Sequence, residues 1–218
     1  MRTETLDTHR AKAQDAVRAL RGRLDRLDDD AIDLILRDAR SHYDWTDRPV
    51  SEAMLRELYE ITISGPTSMN TCPARFVFVT SEAGKDRLAK SLKAKNIDKM
   101  RAAPVTAIVA WDPLYWQRLD FLFPHEDRKP LFDGKEDYAH ITAFRNSTLQ
   151  GAYLMIAARA LGLDVGAMSG FSNQIVDAEF FAENGWKSNF LVNLGYADES
   201  ALFQKLPRFA FDDICEIL

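Results

Sequence analysis

Between Leu149 and Gly162 the chain reads LQGAYLMIAARALG, apolar around almost the whole circumference of a helix and rich in small residues. A helix of that kind is buried on every side. A chain of 218 residues folds as one domain, or as one domain with an appended arm, and buries about 70% of its unfolded surface without disulfide or metal staples. In so small a core, a helix with no solvated face points to a subunit interface. The helix is expected to run from Glu136 to Leu161, with Gly162 as the residue that ends it.

The rest of the chain mixes strands and helices irregularly around that segment. Asp29 or Asp30 is expected to cap a helix through Leu36, and Ser51 a second one whose apolar face is Met54, Leu55, Leu58, Tyr59 and Ile61 or Ile63. Gly65-Pro66 stops it, and a loop GPTSMNTCP follows over residues 65–73. Strands are expected at Arg75–Thr80, Pro104–Ala110, Leu163–Met168 and Asn189–Tyr196, from their β-branched, aromatic and continuous apolar content. Ser81–Arg101 reads as one basic helix, with seven cations against two carboxylates between Lys85 and Arg101. Residues 111–135 read as a long aromatic loop, and Gln174–Phe181 as a helix. The pattern is α+β, a sheet covered by helices. Residues 1–27 form an arm: Val17, Leu20, Leu24 and Leu27 make a narrow apolar stripe, expected to pack on its own domain or on a partner subunit. The main domain is expected over residues 28–218.

Composition excludes several classes. Lys plus Arg is 28 and Asp plus Glu is 33, a net charge of −5, which is not the basic balance of a general nucleic-acid binder. There is no signal-peptide h-region and no run of eighteen apolar residues, so a cytoplasmic protein with no membrane span is expected. Cys72 and Cys215 read as free thiols of a reducing compartment.

Motif chemistry is also restricted. No GxGxxG follows a strand, no GxxxxGK[ST] occurs, and HExxH, CxxC and GxSxG are absent, which disfavours a Rossmann site, a P-loop, a zinc or iron centre and a hydrolase elbow. No metal site is expected, and no side chain stands out as a general acid. What remains is a scatter of phosphate-competent groups: Arg40 and Ser41 in an early loop, Lys99 three residues after Asn96 on one helix face, and Lys205 and Arg208 in the C-terminal tail. A phosphate ester without a glycine-rich cradle needs such cations to converge. In the 65–73 loop, Thr67, Ser68 and Asn70 offer short hydrogen-bonding groups beside the turn set by Pro66, a surface that can hold the polar edge of a flat ring.

At these residues the chain resembles the nitroreductase family of flavoproteins: Arg40-Ser41, then Pro66 to Pro73, Asn96 to Lys99, Ala167 to Phe171, and Lys205 to Arg208 follow the family's order over about residues 30–218. The resemblance implies a mixed, mostly antiparallel sheet flanked by helices, in an intertwined homodimer with FMN at the subunit interface. It implies hydride transfer from NADH or NADPH to the flavin and then to a second substrate, the nicotinamide and that substrate using one site in turn. The strings ARSHYDWTDRPVS, GPTSMNTCPARFVFV, AFRNSTLQGAYL and ARALGLDVGAMSGF look like one branch, the malonic semialdehyde reductases of pyrimidine utilisation, which form 3-hydroxypropionate. A broad nitroarene or quinone reductase and a flavin-binding module without turnover are the alternatives.

Carried over by position, the resemblance implies that Arg40 and Ser41, with His42 as a third member, meet the FMN phosphate and ribityl chain. Pro66, Thr67, Ser68 and Asn70 would line the isoalloxazine from the partner subunit. Asn96 and Lys99 would contact the pyrimidine side and the ribityl hydroxyls, Ser169 and Gly170 would present a backbone N–H near N5, and Lys205 and Arg208 would complete the phosphate site. The chain departs from the family pattern at Tyr43 and Asp44, where a basic residue is common, and at Cys72, where a Gln is common.

Overall fold

The structure, a computed structural model, describes residues 6–23 and 25–218. Four strands form one sheet: β1 (Ala74–Val79), β2 (Val105–Trp111), β3 (Asp164–Met168) and β4 (Lys187–Gly195), in the order β1-β2-β4-β3. All three pairings are antiparallel. The expected mixed sheet is therefore corrected: the parallel element among the described residues is a single bridge, Ser41 to Val165. Every residue of β2 is buried. A central strand covered on both faces reads as a continuous apolar run, which is why it is legible from sequence.

The helices, in chain order, are α1 (Leu6–Arg21), α2 (Asp29–Ile32), α3 (Glu52–Thr62), α4 (Glu82–Ala89), α5 (Ala94–Ala102), α6 (Leu119–Leu122), α7 (Glu136–Ala160), α8 (Asn173–Phe180) and α9 (Phe211–Ile214). The cap of α2 is Asp28, not Asp29 or Asp30; its carboxylate accepts the Ala31 N–H at 2.7 Å. The helix then widens into a π turn over Asp33–Arg37. Ser51 caps α3 as expected, accepting from the Met54 N–H. The single basic helix expected over 81–101 is two, because Lys90–Lys93 turns back and Ser91 is buried there with its hydroxyl on the Leu88 carbonyl. The aromatic segment 111–135 is no plain loop: short helical turns bring Tyr115, Leu119 and Phe132 into a buried cluster with Trp111 and with Ala139 and Ala143 of α7.

The long helix α7 lies against the sheet and against α3. Gly162, at φ +77°, ends it in the left-handed conformation a side chain resists. Its inner face buries Leu154, Ala157 and Ala158, and Gly151 lets the Phe190 ring approach so closely that a Cβ would sit 2.4 Å from it. Within this chain the helix is not buried all round. Tyr138, Ile141, Phe144, Leu149, Tyr153 and Ile156, a stripe at helical spacing, are exposed. On the adjoining α3 only half of the expected apolar face is covered: Leu55 and Leu58 are buried, while Tyr59, Ile61 and Ile63 are exposed. The C-terminal tail is likewise uncovered from Phe203 to Leu218.

Of the two packings expected for the arm, the one on its own domain is not seen. Every described α1 side chain from Asp7 onward is exposed, including Val17 and Leu20, so the stripe does not pack on its own domain; Leu24, its third member, lies outside the described residues.

Candidate functional site

One side of the sheet edge formed by β3 carries two adjoining clefts. The first, of about 670 Å³, lies between the early loop, the last turn of α7 and the tail, and is lined by Arg37, Arg40, Ser41, Tyr43, Arg159, Lys205 and Arg208 together with Leu36, Phe203 and Leu206. The second, of about 260 Å³, is lined by His42, Tyr43, Lys93, Lys95, Asn96, Lys99, Ser169, Gly170 and Asn193. Tyr43 belongs to both, and the Lys99 ammonium sits 4.3 Å from its ring centroid, a cation–π contact at the junction.

The early loop is fixed by β3. His42 donates its backbone N–H to the Val165 carbonyl at 2.9 Å, and Gly166 lies so close under His42 that a Cβ there would sit 2.4 Å from its carbonyl oxygen. Arg40 donates to the Phe203 carbonyl, which brings tail and loop together. In the second cleft Asn96 is buried and donates to the Gly170 carbonyl at 3.2 Å. No described residue takes the Ser169 or Gly170 N–H. Asn193 of β4 accepts the Thr106 hydroxyl at 2.7 Å and donates to the Lys99 carbonyl at 3.0 Å, pinning α5 to the sheet.

Nine of the sequence-derived residues thus converge: Arg40, Ser41, Lys205 and Arg208 in the first cleft, and His42, Asn96, Lys99, Ser169 and Gly170 in the second. The remaining four do not. Pro66, Thr67, Ser68 and Asn70 line neither cleft and form a loop held on α7. The Asn146 amide oxygen accepts the Ser68 N–H at 2.8 Å and the Gln150 amide oxygen accepts the Ala74 N–H at 2.9 Å. Met69, Asn70 and Cys72 all have positive φ, a backbone state that costs of order 1 kcal/mol or more for each side chain and persists only where surroundings enforce it. Two of the polar groups expected to face a ring serve the loop instead: the Thr67 hydroxyl accepts the Cys72 N–H, and the Asn70 amide donates to the Leu122 carbonyl. The Ser68 hydroxyl has no partner among the described residues. A larger groove, about 780 Å³ between α3 and β1, holds none of these residues, and its Glu52 and Arg56 neutralise each other.

Sequence reasoning missed Arg159, Asn193, Asn146 and Gln150. Arg159, Asn193 and Gln150 are polar residues inside apolar segments, and that was the available signal; Asn146 sits in the polar run 145–148 and carried none.

His42 is nearly buried, its Nε2 3.2 Å from an Asp164 carboxylate oxygen and its Nδ1 buried without a partner. Burial holds the imidazole below its ordinary value, the Asp164 carboxylate opposes this, and the Arg40 and Arg159 guanidiniums add to the lowering. The unfolded chain therefore takes up this proton first, so His42 supports the fold above about pH 6.5 and that support is lost as pH falls through its lowered folded value. The urea midpoint of the parent is expected to drop more than that of His42→Asn between about pH 7.5 and about pH 5.5. Equal drops would show that His42 does not titrate in this way.

A cluster of cations thus adjoins a narrower polar slot on a helix-flanked antiparallel sheet. The chain belongs to the nitroreductase family, whose model matches residues 36–196. It is 52% identical over 191 residues, 88% of this chain and 97% of the relative, to a Stenotrophomonas maltophilia (strain K279a) protein provisionally named NADH dehydrogenase/NAD(P)H nitroreductase. A Burkholderia lata protein with the same provisional name is 53% identical over 191 residues, 88% of this chain and 98% of the relative. Among solved structures, a provisional nitroreductase of Exiguobacterium sibiricum in complex with FMN superposes with a TM-score of 0.76 at 21% identity, covering 89% of this chain and all of that one. The family uses FMN, with NAD(P)H as hydride donor. Among the described residues no helix is long and apolar enough to cross a membrane, and no group of His, Cys, Asp and Glu could hold a metal ion.

Proposed function

We propose that this protein is an FMN-dependent NAD(P)H oxidoreductase that works as an intertwined homodimer and reduces malonic semialdehyde to 3-hydroxypropionate. The observation that carries the FMN reading is the pair of joined clefts. Arg40, Arg159, Lys205 and Arg208 line the wider one and have no carboxylate partner among the described residues, which suits a phosphate dianion. The narrower one offers unpartnered Ser169 and Gly170 N–H groups and the Asn96 and Lys99 side chains, donors suited to the carbonyl-rich edge of a flavin. The buried, unpartnered His42 Nδ1 is an acceptor for a ribityl hydroxyl. Bound there, FMN supplies two-electron hydride chemistry between NAD(P)H and an acceptor. The chain's own part is to orient and to exclude water: the cations fix the phosphate end, Asn96 and the 169–170 backbone fix the ring, and no side chain is assigned a proton transfer.

The dimer reading rests on the uncovered apolar surface. The exposed stripe of α7, the half-covered face of the adjoining α3 and the apolar side chains of the bare tail beyond Phe203 suit a partner, because exposed apolar patches mark interaction surfaces. It also gives the 66–70 loop a use: held rigidly on α7 but outside its own clefts, it lines the ring site of the second subunit through Pro66, Thr67, Ser68 and Asn70. Residues 1–27 are an arm outside the flavin-binding domain of residues 28–218, available to the partner subunit. The semialdehyde rests on the branch-like strings of the sequence. The second reading, a broad nitroarene or quinone reductase, is favoured by the aromatic cluster of 111–135 beside the loop, where Asn70 bonds the Leu122 carbonyl, and by the provisional names of the relatives.

Purified protein is expected to be yellow, to have a dimer mass in light scattering, and to oxidise NAD(P)H faster with malonic semialdehyde than with a nitroarene or a quinone. A reversed order would favour the second reading. Bound flavin with no NAD(P)H consumption would leave a flavin-binding module and sink the enzyme reading.

A further inference from the structure

Arg159 stands apart from the other cations of the wider cleft. Arg37 is neutralised by Asp29 and Asp33. Arg40 and Arg208 each spend donors on tail carbonyls, of Phe203 for the first and of Leu206 and Pro207 for the second. Arg40, Lys205 and Arg208 all sit on irregular segments, whereas Arg159 projects from the last turn of the 25-residue helix α7. It is half-buried, and among the described residues its guanidinium makes one long hydrogen bond, 3.4 Å to the Arg40 carbonyl. A guanidinium has five N–H donors, so most of its capacity is unused in a place where burial already penalises the charge.

Two ordinary explanations for such an arginine fail. A cation in a last turn commonly serves the helix C-terminus, but three of the last four carbonyls of α7 are taken by backbone, those of Ala157, Ala158 and Arg159 accepting from Leu161, Leu163 and Gly162, and the Arg159 guanidinium turns to the Arg40 carbonyl instead. The nearby carboxylate is Asp164, and it is engaged elsewhere, with one oxygen on His42 Nε2 and the other accepting the Ala197 N–H at 2.9 Å. Its field reaches Arg159, but among the described residues its ion pair is with His42 and not with Arg159.

We infer that Arg159 is a phosphate-binding residue, the one cation of the cleft that is carried on a helix and has no carboxylate partner among the described residues, and that it fills its unused donors with the phosphomonoester of the flavin. This rests on the proposal that FMN occupies the clefts. A guanidinium fork matches two phosphate oxygens. Because the helix holds it, it sets where the phosphate lies, while the loop and tail cations close around that position.

The test compares FMN with riboflavin, which lacks the phosphate, by quenching of flavin fluorescence on the full-length apo chain. Arg159→Met removes the charge. Arg159→Gln removes it too but keeps a donor for the Arg40 carbonyl, and so serves if the Met variant does not fold. Loss of one charge-assisted contact is expected to weaken FMN about ten- to hundredfold while riboflavin changes by less than about threefold. Equal losses for both flavins, or no loss for either, would overturn the inference. Thermal protection by inorganic phosphate separates it from the reading it rests on. If the parent binds neither flavin but phosphate still raises its melting temperature, and does so less in Arg159→Gln, the phosphate site stands and the FMN reading falls. If phosphate protects parent and variant alike, Arg159 is not in the site.

Discussion

Replacing Arg208 by alanine is expected to raise the FMN dissociation constant about tenfold to a hundredfold, because a charge-assisted bond to a phosphate is worth roughly 1.5–3 kcal/mol. The cleft is not a helix N-terminus, so its affinity for a dianion comes from side-chain cations, of which four lack a carboxylate partner among the described residues. Arg208 holds its place through two carbonyls of its own tail, of Leu206 and Pro207. Its loss therefore leaves the sheet and α7 untouched. Titration of the apo-variant with FMN, followed by turnover at saturating FMN, is the measurement. Affinity should fall more than turnover does, since the groups proposed to face the ring lie in the other cleft. A variant that binds FMN as tightly as its parent would remove the tail from the phosphate site.

Gly166→Ala should be the most damaging single methyl in the site. The new Cβ would lie 2.4 Å from the His42 carbonyl oxygen and 3.2 Å from the Trp45 ring. The obstacle is backbone, and that backbone is tied to β3 by the His42 N–H on the Val165 carbonyl and by the Ser41–Val165 bridge. Overpacking costs about 1–3 kcal/mol where side chains can yield, and here the strip itself must lift. A fall in melting temperature of roughly 5–10 °C follows for a domain of this size. FMN affinity should fall with it, because Arg40, Ser41 and His42 ride on the displaced strip. A melting temperature within about 1 °C of the parent would show that the strip yields freely and does not order the cleft.

The four strands were found to within one or two residues, since β2 and β4 are apolar runs and a buried strand has no other composition. The Ser51 cap and the Gly162 stop were legible because each is a local device, satisfied within four residues. The break between α4 and α5 is not legible because nothing local marks the turn at Lys90–Lys93; it is held by the Leu92–Phe171 bridge and by the Ser172 N–H on the Ser91 carbonyl. The aromatic segment 111–135 looked like a loop because its order comes from packing Tyr115 and Phe132 against a helix that begins later in the chain.

The sequence by itself marked nine of the residues that line the two clefts. Short-range chemistry marks Arg40-Ser41, Asn96 with Lys99, and Lys205 with Arg208, and the long apolar helix already demanded more cover than one chain offers. Only the tertiary structure decided which of those residues meet. It joined Arg40 to the tail across 163 positions of sequence and left Pro66, Thr67, Ser68 and Asn70 outside the clefts of their own chain. It also brought in Arg159 and Asn193, polar residues in apolar segments. The physical reason is range: caps and turns close within a few residues, whereas a cleft is closed by groups whose proximity no local pattern encodes, and which the sheet order β1-β2-β4-β3 alone brings side by side.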